Sequence, residues 1–111
     1  MRTIPEQDWK VLKQLHPIAL DRFSRRVLDE TEGLLKDHSK SSPDIYLAIY
    51  KLIQRCDKEM ADIFNDYRRS TAFLQIAMMH SRGLLTEQEF QQFSPETRDS
   101  IIAIQALGRG A

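Results

Sequence analysis

Between Asp44 and Arg82 the chain runs 39 residues without a glycine or a proline. Apolar residues recur through it at spacings of three and four: Ile45, Ile49, Leu52, Cys56, Met60, Ile63, Tyr67, Leu74 and Met78. That spacing places them on one side of a helix. A single helix of this length would extend roughly 58 Å at about 1.5 Å per residue, nearly twice the ~30 Å breadth of a small domain. An apolar stripe so long needs partners along its whole length, and the other residues barely suffice. Either the helix breaks or another chain covers part of it. The weakest point is Arg68-Arg69-Ser70-Thr71, where polar and β-branched residues interrupt the stripe.

The remaining helices follow from their boundary signals. Helix A is predicted from Pro5, which suits a first helical position, with Trp9, Leu12 and Leu15 on its apolar side. His16-Pro17 is expected to stop or kink it, because the residue before proline is pushed out of the α region. Helix B covers about 17–37 with the stripe Leu20, Phe23, Val27, Thr31 and Leu34. The polar segment Asp37–Pro43 reads as a surface loop, and Ser42-Pro43-Asp44 as a helix start. Arg82-Gly83 closes the long helix. Thr86 to Glu89 forms a capping box, and Ser94-Pro95-Glu96 opens a last helix carrying Ile101, Ile102, Ile104 and Leu107.

The expected fold is therefore all-α. It is a bundle in which a long central helix, about 43–82, packs antiparallel on helix 17–37, with short C-terminal helices added and helix A and the last helix closing the ends. Residues 1–107 form one helical domain and 108–111 a frayed tail. The expected core is Trp9, Leu12, Leu20, Phe23, Val27, Ile45, Ile49, Leu52, Cys56, Ile63, Leu74, Phe90, Ile101 and Ile104.

Charge and cysteine content narrow the function. Sixteen basic residues balance sixteen acidic ones, so the formal net charge is zero. The balance holds locally, with eight basic and seven acidic groups in residues 1–43 and six and five in 44–82. No segment carries the basic excess that drives phosphate binding, which makes nucleic acid a poor partner. One cysteine permits no internal disulfide. No apolar run approaches the ~18–20 residues of a membrane span, and the first residues lack a signal-peptide core. A soluble, cytoplasmic protein without membrane contact is expected.

Candidate chemistry is sparse. His16, His38 and His80 are far apart, and none has metal-ligand spacing to another histidine or to Cys56. Cys56 lies on the apolar stripe and reads as core. Asp57, Glu59, Asp62 and Asp66 alternate with Arg55, Lys58 and Arg69 as a self-paired solvated face. No phosphate loop, nucleophile elbow or dinucleotide fingerprint is present. No metal or cofactor site is expected.

The function expected first is a non-catalytic protein–protein interaction module, homodimeric or bound to another helical protein. Its interface is the uncovered half of the long helix, at Phe64, Tyr67, Phe73, Leu74 and Met78. The alternative is a small regulatory protein that meets nucleic acid through Arg22, Arg25 and Arg26, although Asp21, Asp29 and Glu30 stand four residues from that cluster. An enzyme would have to bring Asp57, Tyr67 and His80 into one cleft.

Overall fold

The computed structural model describes residues 3–109. Five α-helices occupy them: α1 (Glu6–Leu35), α2 (Ser42–Phe64), α3 (Ala72–Ser81), α4 (Glu87–Phe90) and α5 (Pro95–Arg109). A 3-10 turn at Arg69–Thr71 precedes α3, and no strand occurs among the described residues. The protein is an all-α bundle. The expected tail lies partly inside α5, which includes Gly108; Gly110 and Ala111 fall outside the described residues.

Helices A and B are one helix. The chain does not stop at Pro17, which sits exposed inside α1. Proline removes one backbone bond and costs about 3 kcal/mol in a helix interior. Leu12, Leu15, Ala19 and Phe23 continue in register across it, and all four are buried. Their burial, about 1.5–3 kcal/mol for each large side chain, outweighs the lost bond.

The long helix, in contrast, is divided. α2 ends at Phe64, slightly before the expected weak point. Asp66 takes a left-handed backbone with φ of 59°, a conformation that Asn and Asp tolerate better than most residues. Local hydrogen bonds then hold the turn. The Arg68 amide donates to Thr71 Oγ1 at 3.3 Å, and that hydroxyl donates to the Asp66 carbonyl at 2.6 Å. The buried Gln75 amide donates to the carbonyls of Asn65 and Asp66 at 2.8 and 2.9 Å.

α1 and α2 form an antiparallel hairpin. His16 meets Phe64, Phe23 lies near Cys56, and Leu34 lies near Ala48, so positions advance along one helix as they recede along the other. Helices α3, α4 and α5 pack as a body at the end that holds the start of α1. Asp8, wholly buried, fastens them. Its carboxylate accepts from the Ser94 amide (2.8 Å), the Ser94 hydroxyl (2.7 Å) and the Thr97 hydroxyl (2.6 Å) at the start of α5. A carboxylate there also suits the positive end of the helix dipole. The rest of the hairpin, about 24–35 with 42–56, projects as an arm, and the molecule measures 52 × 30 × 22 Å.

Seven of the expected core residues are buried: Leu12, Phe23, Leu52, Cys56, Ile63, Phe90 and Ile101. Trp9, Leu20, Val27, Ile45, Ile49 and Ile104 are half-buried. Leu74 is not core, being 52% exposed, because α5 packs beside it rather than over it.

Candidate functional site

The five expected interface residues separate into two settings. Phe64 is buried, edge-on to His16 at 5.5 Å and to Phe23 at 5.9 Å. Tyr67 stacks on His16 at 4.1 Å and leans on Trp9 at 5.2 Å. Arg69 sits over the Trp9 ring and pairs with Glu6 at 2.7 Å. These aromatics seal the α2–α3 turn against α1. Burial pushes the His16 imidazole below its ordinary value, while a backbone hydrogen bond to Phe64 opposes the shift.

Phe73, Leu74 and Met78 do come together. They line an open groove between α3 and α5, opposite Ala103 and Ile104. Its larger section encloses about 620 Å³. Among the described residues its lining contains no ionised side chain, and its polar members are Ser70, Thr71, Ser81, Ser100 and Gln105. Such a surface suits an apolar helical ligand better than a charged small molecule.

A second apolar surface lies on the arm. The body approaches the hairpin from the flank that carries Arg26 and Glu30 of α1 with Arg55 and Glu59 of α2. Helical rotation of about 100° per residue puts Leu28, Thr31 and Leu35 on the other flank of α1. The same rotation puts Tyr46, Tyr50 and Ile53 on the other flank of α2. Tyr46 is 76% exposed, Leu35 60%, Leu28 53%, Tyr50 52% and Ile53 40%. Among the described residues no helix covers them. Sequence periodicity had a signal for this: with Ile45, Ile49, Leu52 and Cys56, these residues give α2 an apolar arc wider than one partner helix can cover.

Two of the three candidate anion-contacting arginines are clamps within the chain. Arg22 makes a bidentate pair with Glu89 at 2.6 and 3.0 Å and donates to the Leu84 carbonyl at 2.8 Å. The Arg22 guanidinium holds the Glu89 carboxyl down at about 2. Arg26 donates to the carbonyls of Arg82 (2.6 Å) and Gly83 (2.7 Å), satisfying acceptors at the end of α3. Gly83 has φ of 69°, the left-handed value a glycine favours at such an end. Arg25 is exposed.

The residues considered for catalysis have separate surroundings. His80 stacks on Phe90 at 3.9 Å, and its Nδ1 lies 2.9 Å from the Gln105 amide, which also donates to the Ala77 carbonyl. Asp57 is exposed on α2, and Tyr67 belongs to the His16 stack. Cys56 is buried, and burial pushes its thiol up. Among the described residues no group of three or more His, Cys, Asp or Glu side chains is placed to hold a metal ion. No described helix is long and apolar enough to cross a membrane. No family model, curated protein or solved structure matches the chain.

Proposed function

We propose that this chain is a non-catalytic protein–protein interaction module that acts as a homodimer in the cytoplasm. One observation carries the proposal: two contiguous apolar surfaces, the arm face and the α3–α5 groove, stand uncovered on a chain of 111 residues. The largest apolar patch on an isolated soluble domain is about 300–600 Å² and is often a binding surface. Zero net charge supports self-association, since identical copies do not repel each other overall.

The test is absolute mass by light scattering after size exclusion, across a hundredfold concentration range. A dimer of about 26 kDa, twice 13.0 kDa, is expected, with dissociation on dilution. A mass of 13.0 kDa at every concentration would remove the homodimer.

A further inference from the structure

We infer that the arm face is where a second copy of this chain docks, the two hairpins closing face to face into a four-helix bundle. The inference rests on the homodimer proposed above and assigns its surface.

Two helices alone bury only the seam between them. In the arm that seam is Val27, Leu34, Ile45, Ala48, Ile49 and Leu52, and only Leu52 is buried. A helical layer of this kind needs a second layer on its apolar side. The body supplies one for the flank of Arg26 and Glu59. Among the described residues the opposite flank has none.

A second arm fits this flank in size, and the arm as a whole carries no net charge to oppose it. Leu28, Leu35, Tyr46, Tyr50 and Ile53 together expose on the order of 550 Å² per copy, scaling their exposures by whole side-chain areas such as ~150–250 Å² for an aromatic. Two copies would withdraw about 1,100 Å² before any rim atom is counted, close to the ~1,200 Å² where stable interfaces begin. The groove offers much less. Leu74, the exposed large apolar residue of its lining, leaves roughly 90 Å² open per copy on the same scale, too little for a stable dimer. The arm is also locally neutral. Residues 21–36 carry four basic and four acidic groups, and 42–57 carry two of each. Its centre is uncharged, while Asp21, Arg25 and Glu32 edge α1 and Asp57 edges α2. That rim carries three acidic groups and one basic, and a two-fold pairing can set Arg25 of each copy opposite an acidic rim residue of the other.

The experiment compares three full-length chains by light scattering and circular dichroism: wild type, Tyr46→Glu/Ile53→Glu on the arm, and Leu74→Asp in the groove. The expected result is a dimeric wild type, a dimeric Leu74→Asp, and an arm variant that is helical but monomeric, with self-affinity weakened about 100-fold or more. If the arm variant stays dimeric at wild-type affinity, the inference is overturned while the homodimer survives. A monomeric wild type overturns both. Should the double variant lose helicity, Tyr46→Glu alone, at the most exposed of these positions, is judged by the same criteria.

Discussion

The body and the arm are built from the same hairpin, yet they are held in different ways. At the body, α1 has α2 on one side and α3 to α5 on another. Leu12, Ala19, Ile63, Ile76, Met79 and Ile101 are fully or almost fully buried there. Polar clamps fix the layers: Asp8 on Ser94 and Thr97, Arg22 on Glu89, and Gln75 on the 65–66 turn. Beyond Phe23, no residue of α1 is buried. In the arm only Leu52 and Cys56 are buried, and the ion pairs along it, Glu30–Arg55 at 3.5 Å and Glu32–Lys36 at 2.7 Å, are largely exposed. Exposed pairs of this kind contribute little. Amphipathic sequence alone does not make a stable layer; the number of layers stacked on it decides.

Changes in the body should therefore cost most. Asp8→Ala removes the acceptor of three donors of Ser94 and Thr97, where Asp8 and Thr97 are buried and Ser94 half-buried. Leaving them unsatisfied costs about 2–4 kcal/mol, read as a lowered denaturation midpoint with unchanged slope. A loss below ~0.5 kcal/mol would show that the clamp is not what joins α1 to α5.

Glu89→Gln should cost less, about 1–2 kcal/mol at pH 7, because its partner Arg22 is half-exposed. The pH dependence is more specific. Glu89 titrates near 2 when folded, below the ordinary 4.5. The unfolded chain takes up this proton first, so the contribution is complete above about 4.5 and is lost as pH falls toward about 2. Melting temperatures of the Gln variant should fall less steeply across that window than those of wild type. Parallel curves would mean that Glu89 is not held by Arg22.

Much of the body was legible in the chain. Thr86 and Glu89 form the expected capping box, with bonds of 2.8 and 3.1 Å, and a helix starts at Ser42-Pro43 as expected, although Ser41 supplies the cap. Two boundaries were misplaced because local preference met tertiary context. Pro17 is carried by the buried stripe on either side of it. The α2–α3 break belongs to Asn65-Asp66, a turn-prone pair that the run of apolar residues obscured. Asp8 gives no sign in sequence of being buried, since its partners lie 86 and 89 residues away. The arm face was missed for a similar reason. Periodicity shows which residues of α2 prefer to be covered, but not that the body reaches only one flank of the hairpin.

Hydrogen exchange measured at several protein concentrations tests the central claim most directly. If a second copy supplies the arm's missing layer, amides of residues 27–35 and 44–54 should become more protected as concentration rises, while those of α3 and α5 stay constant. Arm protection that is independent of concentration would contradict the account, because the hairpin would then be stable without a partner on its open face.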